Sequence, residues 1–282
     1  MNRLARLCWL GVAVLAFAAT AAQDNSAAAA ANDLQVRVER DVAYGGDPAQ
    51  RFDVYRPGSA RGPVLLLVHG GAWHTGDKAS PNFVLGKVRY WTARGYVVVS
   101  TNYRMLPQAD PLEQARDVAR ALAAVQARAA AWGADGRQVV LLGHSSGGHL
   151  VMLLNAAPAL ARAVGAQPWR GSVSLDNPVV DAPALMRAHY EFYEAALGRD
   201  PQFWEQLSPQ HLLSADAPPL LAVCSRRTRT CPGAQALQRK AQSMGRVVQV
   251  QPVDLSHAGV SDRLGVAPGY SASVDRWIRS IL

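Results

Sequence analysis

The sequence predicts an α/β fold: a mostly parallel, twisted central sheet of about eight strands with helices on both faces. Three observations predict it. Six short, continuous apolar runs recur along the 282 residues, stretches of helical length separate most of them, and two alternating segments precede the first run. Composition agrees, because 49% apolar and 18% charged residues describe a chain that buries a core rather than a disordered or coiled one. Residues 34–282 are expected to form one domain.

In chain order, 36–42 and 51–55 alternate in the manner of antiparallel strands, with Gly45, Gly46, Asp47 and Pro48 as the turn between them. The runs 64–68, 96–100, 139–142, 171–175, 220–223 and 247–250 suit strands buried on both faces. Helices are expected over 82–93, 111–132, 148–155, 234–244 and 271–282; the second begins with Asp110 as N-cap and Pro111 at the first helical position. After the sixth strand the chain leaves the sheet over 177–219, an insertion carrying Tyr190, Phe192, Tyr193, Phe203 and Trp204. It reads either as a small cap over a site or as extra surface helices.

The first residues have a different character. Arg3 and Arg6 precede an apolar run over 7–18 and the small residues Ala19, Thr20 and Ala21, which is the layout of a secretory signal peptide, 1–21. The run is too short for a permanent bilayer span, so no stable membrane anchor is expected, an uncleaved anchor being the alternative. A flexible leader, 22–33, follows, and Cys8 leaves with the signal. The protein is then exported, to the periplasm or the medium. Cys224 and Cys231 remain, close together in a chain bound for an oxidising compartment; a local disulfide is expected, with two separate buried thiols as the alternative.

The formal net charge of +8 comes from arginines scattered through helices and loops, which are better explained as solvated faces than as a nucleic-acid footprint. There is no Gly-rich phosphate loop, and Cys and His spacings match no zinc site, so neither cofactor nor metal is expected.

Gly143-His144-Ser145-Ser146-Gly147 follows a predicted strand and opens a predicted helix, the setting of a nucleophile elbow that lifts a serine hydroxyl to the top of a sheet. The string alone is common. Upstream, however, the strand over 64–68 ends in His69-Gly70-Gly71-Ala72-Trp73, a loop able to offer backbone donors to an oxyanion. The amides of Gly71, Ala72 and Ser146 are the expected oxyanion hole, and His69 is expected to tie the loop together.

HGGAWHTGDK, followed by STNYR and GHSSGGHL, resembles the α/β-hydrolase serine esterases related to arylformamidases and small carboxylesterases, over most of the chain after the leader. The resemblance implies the α/β-hydrolase fold, Ser145 as nucleophile, the loop His69 to Trp73 as oxyanion loop, and a triad in the order serine, acid, histidine. His257 fits the last place, in a small-residue loop after the run 247–250. His144 and His149 flank the elbow too closely, His74 lies beyond the oxyanion loop, and His189 and His211 fall in the insertion.

The acid departs from the pattern. The family's aspartate follows the strand over 220–223, where this chain reads CSRRTRTCPG; the equivalent position falls near Thr228 or Arg229, and no carboxylate is there. Asp176, at the end of the preceding strand, is the first substitute, Asp181 the second and Asp254 the third; a site without an acid is the remaining alternative. The expected activity is cleavage of a small-molecule carboxylic ester through an acyl-enzyme on Ser145, with Trp73 and Trp204 lining the pocket. Aryl formamide hydrolysis and a hydrolase-shaped binding protein with weakened catalysis are the other two readings.

Overall fold

A computed structural model describes residues 36–58, 62–188 and 191–282. The expected signal peptide and leader lie outside the described residues, as do His189 and Tyr190. Eight strands form one sheet: β1 (Arg37–Ala43), β2 (Arg51–Arg56), β3 (Val64–Val68), β4 (Val97–Thr101), β5 (Val139–His144), β6 (Gly171–Leu175), β7 (Leu220–Ser225) and β8 (Val248–Val253). Their order across the sheet is β1-β2-β4-β3-β5-β6-β7-β8. Only β2 runs against its neighbours β1 and β4; the rest pair in parallel.

The apolar runs become central strands because both sheet faces are covered. Val64, Leu66 and Val68 of β3 point into one core with Val97, Val99, Val139 and Leu141, while Leu65 and Leu67 point into the other with Val98, Val140 and Leu142. All of these side chains are fully buried. Helices α1 (Pro81–Thr92), α2 (Pro111–Arg128), α3 (Ser146–Ala156), α4 (Pro158–Arg162), α9 (Thr230–Ser243) and α11 (Pro268–Ser280) surround the sheet. Asp110 caps α2 by accepting from the Glu113 amide, with Pro111 at the first turn. The expected helix over 111–132 ends four residues early as α-helix: residues Ala129–Trp132 tighten into a 3-10 turn closed by Gly133 at φ 79°.

Among its described residues the insertion has four short helices, α5 (Ala182–Arg187), α6 (Glu191–Leu197), α7 (Pro201–Gln206) and α8 (Pro209–Leu212). It is tied to the body by His149 of α3, whose Nε2 donates to the Leu207 carbonyl (2.8 Å), and by the Gln210 amide donating to Val180 (2.9 Å). The loop expected around His257 is instead a short helix, α10 (His257–Asp262), capped by Ser256, whose side chain accepts from the Gly259 amide. Six residues with a glycine carry too little apolar periodicity to announce a helix; the Ser256 cap and bonds from Lys87 and His144 hold it.

Candidate active site

Parallel strands β3, β5, β6 and β7 deliver the site at their C-terminal edge, where an open α/β sheet leaves a crevice. Ser145 occupies the turn from β5 to α3 at φ 54° and ψ −121°, a backbone state sparsely populated by side-chain-bearing residues. Two contacts hold it there. The Ser145 amide donates to Leu175 of β6 (2.9 Å), and Gly147 lets α3 approach the end of β3 so closely that a Cβ there would lie 2.2 Å from the His69 carbonyl oxygen.

His257 Nε2 lies 2.9 Å from Ser145 Oγ, and its Nδ1 lies 2.7 Å from Asp176 Oδ2. A carboxylate accepts, so Nδ1 carries the proton and Nε2 presents a lone pair to the serine hydroxyl. Asp176 stands just past β6 at φ 48°, its side chain wholly buried and its amide donating to Val223 of β7 (2.7 Å). The loop after β7, which lacks a carboxylate, binds one instead. Asp176 accepts from the Ser225 amide (2.7 Å) and from the hydroxyls of Thr228 (3.2 Å) and Thr230. Burial pushes the Asp176 carboxyl up, but the bonds from His257, Thr230 and Ser225 outweigh it and hold the group below the usual carboxylate range. The loop is closed by a disulfide between Cys224 and Cys231.

The structure thus brings Ser145, His257 and Asp176 together and leaves the other candidate acids elsewhere. Asp181 caps α5 by accepting from the Ala184 amide (2.8 Å), and Asp254 pairs with Arg227 (2.7 Å).

The oxyanion loop is a tight turn in which Gly71, Ala72 and Trp73 all have positive φ (134°, 52° and 63°). It is clamped by the His74 and Thr75 amides donating back to the Gly71 carbonyl (3.1 and 2.9 Å). It abuts the serine: a Cβ on Gly70 would lie 3.0 Å from Ser145 Cβ. Ser146 is the first residue of α3, where an amide has no intrahelical acceptor. His69 stacks on Tyr103 (4.6 Å between centroids) and its Nδ1 donates to Gly70 (2.8 Å), while the Tyr103 hydroxyl donates to the His69 carbonyl (2.8 Å). Burial holds its imidazole below the usual range and therefore neutral.

Above the serine opens a cleft of about 670 Å³, lined by Trp73, Leu185, Phe192, Tyr193, Thr228 and Arg229 among others. Trp73 stands in this wall. Trp204 does not: its indole N–H donates to the Leu197 and Gly198 carbonyls at the end of α6 (3.1 Å each), which keeps the ring packed within the insertion. His144, too close to the elbow to serve as base, reaches His257 instead. Its Nε2 donates to the His257 carbonyl (3.0 Å), and its ring lies 4.8 Å from that of His257. Burial and the neighbouring His257 push it down to about 4, so it braces α10 as a neutral ring. Its place beside Ser145 was legible, but not a partner 113 positions away.

This fold recurs in known proteins. The BD-FAE family model matches residues 52–167. Esterase B from Lactobacillus Rhamnosis (HN001) superposes with a TM-score of 0.69 at 22% identity, covering 95% of this chain and 92% of that one. A truncated carbohydrate esterase from gut microbiota superposes at 0.70 and 17%, covering 88% and 97%. The chain has the α/β-hydrolase fold. Esterase LipC of Mycobacterium tuberculosis is 30% identical over 70% of this chain and 53% of its own length. The probable carboxylic ester hydrolase LipM of the same organism is 30% identical over 77% and 55%. The chain spans about half the length of those curated relatives.

Proposed function

We propose that this α/β-hydrolase cleaves carboxylic esters through an acyl-enzyme on Ser145. The observation that carries the reading is the continuous relay from Ser145 Oγ through the His257 ring to Asp176, at 2.9 and 2.7 Å. Ser145 Oγ attacks the ester carbonyl carbon while His257 Nε2 takes the hydroxyl proton, and Asp176 stabilises the resulting imidazolium. The carbonyl oxygen becomes an anion held by the amides of Gly71, Ala72 and Ser146, donors already in place before charge develops. Collapse breaks the C–O bond, the alcohol leaves with the proton from His257, and water repeats the sequence to release the acid and restore the serine. The esterase relatives support ester rather than amide substrates. Asp176, 2.7 Å from His257 Nδ1, supports a complete triad over the reading of a hydrolase-shaped binding protein with weakened catalysis.

The test pairs a short-chain 4-nitrophenyl ester assay with fluorophosphonate labelling. Wild type is expected to turn over the ester and take the probe, and Ser145→Ala to do neither. Labelling that persists in Ser145→Ala would remove Ser145 as nucleophile.

We also infer export, with cleavage after Ala21. The disulfide between Cys224 and Cys231 supports an oxidising destination. N-terminal sequencing of the protein recovered outside the cytoplasm is expected to begin at Ala22.

A further inference from the structure

His257 is the first residue of α10, so the base rides on a helix of six residues, and Ser261 lies about one turn further along the same face. A helix this short has no stability of its own and keeps its place only through the bonds made to it. Whatever fixes Ser261 therefore helps to fix His257. A slip of about an ångström would part its Nε2 from the Ser145 hydroxyl, 2.9 Å away.

The tie at Ser261 comes from another element. Lys87, in the middle of α1, is fully buried, and its Nζ donates to the Ser261 carbonyl (3.0 Å) and hydroxyl (3.2 Å) as well as to the Phe83 carbonyl (2.6 Å). All three acceptors are neutral, and the ammonium stands 4.7 Å from the centre of the Phe83 ring. The acid that acts on it, Asp262 of α10, does so through space rather than by a bond. Beside this tie the chain segments meet backbone to backbone: Gly265, just past α10, has φ 87°, and a Cβ there would lie 2.3 Å from the Gly86 carbonyl oxygen. The two glycines set how closely the segments approach. Hydrogen bonds are directional, so the lysine sets their register.

A buried ammonium bonded only to neutral groups lowers the stability of a fold rather than raising it. Nor does the Ser261 carbonyl need the lysine to be satisfied, because it also accepts from the Leu264 amide (3.1 Å). The bonds are explained by what they hold. We infer that Lys87 is a positioning residue for the ester cleavage proposed above, on which this inference rests: it fixes α10 against α1 so that His257 Nε2 stays aimed at the Ser145 hydroxyl. Lys87 touches no reacting atom and acts through Ser261 and one helical turn.

The experiment measures kcat and KM for 4-nitrophenyl acetate at about pH 7 in wild type, Lys87→Met, Ser261→Ala and the double variant, with thermal unfolding at about pH 6 alongside. Methionine keeps the length of the side chain and removes its donors. Lys87→Met is expected to lose about tenfold in kcat with KM little changed, and to melt no lower than wild type. Ser261→Ala, which deletes the hydroxyl and keeps the carbonyl, should lose about threefold in kcat. Adding it to Lys87→Met should cause no further loss, because both residues act through one tie. Activity thus falls without a fall in stability, which a residue serving packing alone would not show. A Lys87→Met kcat within about twofold of wild type, a Tm below that of wild type, or losses that multiply in the double variant would overturn the assignment. Failure of wild type to cleave 4-nitrophenyl acetate would instead bring down the ester-hydrolase reading, and this inference with it.

Discussion

Asp176 occupies an unusual position for a residue so heavily engaged: its backbone is left-handed, its side chain is fully buried, and it serves His257 only because a loop from another strand holds it. Its contribution to turnover therefore depends on both oxygens. Oδ2 faces His257, while Oδ1 takes the Ser225 amide and the threonine hydroxyls. Asp176→Asn keeps the shape but offers an amide where the ring needs an acceptor; kcat for a 4-nitrophenyl ester is expected to fall at least about a hundredfold with KM little changed. An Asp176→Asn enzyme as active as wild type would remove the acid from the relay. Thr230→Val deletes one donor and leaves the carboxylate in place. A fall in kcat of about tenfold is expected, with no loss of fluorophosphonate labelling, as for a residue that orients rather than reacts. At this scale Ser145 was legible because its motif is local, five consecutive residues between a strand and a helix. Asp176 was legible only as a choice among carboxylates, because the residues that decide it lie 49 and 54 positions further on.

Between elements, the position of His257 is set by where α10 docks. Lys87 of α1 reaches across to that helix, fully buried, donating to the Phe83 carbonyl of its own helix and to the carbonyl (3.0 Å) and hydroxyl (3.2 Å) of Ser261. Burial pushes its ammonium down to about 7, with only a partial counter-effect from Asp262. That value lies below the ordinary lysine range near 10.4, so between the two the unfolded chain binds more protons than the folded one. Stability therefore rises with pH across that window and is lowest below about pH 7. Lys87→Met removes the term. Its Tm is expected to exceed that of wild type by more at about pH 6 than at about pH 9.5, by differential scanning calorimetry. A gap independent of pH would show that the buried amine does not titrate there. Strands β3 to β7 were readable in order because burial on both faces leaves continuous apolar runs, whereas α10 and the four insertion helices were not. Each of those helices has seven residues or fewer and owes its ends to caps and tertiary bonds rather than to a repeating apolar face.

For the molecule as a whole, buried cores cover opposite faces of one sheet, and the β1–β2 edge joins it through charge as well as packing. Asp53 on β2 is the junction. Fully buried, it accepts from Lys78 Nζ (2.6 Å), Arg40 (2.6 Å) and the Asp41 amide (3.0 Å), binding β1 and β2 to the segment that follows the oxyanion turn. The Lys78 amide in turn donates to Asn102 (2.6 Å). Burial raises the Asp53 carboxyl, but the bonds from Lys78, the Asp41 amide and Arg40 more than offset it, and it rests below its usual range; Asp176 is held low in the same sense. A carboxyl with a depressed folded value contributes stability above its unfolded pKa, near 3.9, and loses it as pH falls through the folded value. Wild type is therefore expected to unfold increasingly easily below about pH 4, where protonating both groups also adds to an already basic chain. Asp53→Asn should lower stability at neutral pH by roughly 1–3 kcal/mol, since Lys78 keeps Asp41 as a carboxylate partner (2.9 Å) while the buried acceptor of two cations is lost, and should flatten the acid dependence. Urea unfolding at pH 7 and pH 3.5 measures both. An Asp53→Asn protein that kept the wild-type acid slope would move the source of that slope away from the junction beneath the oxyanion turn.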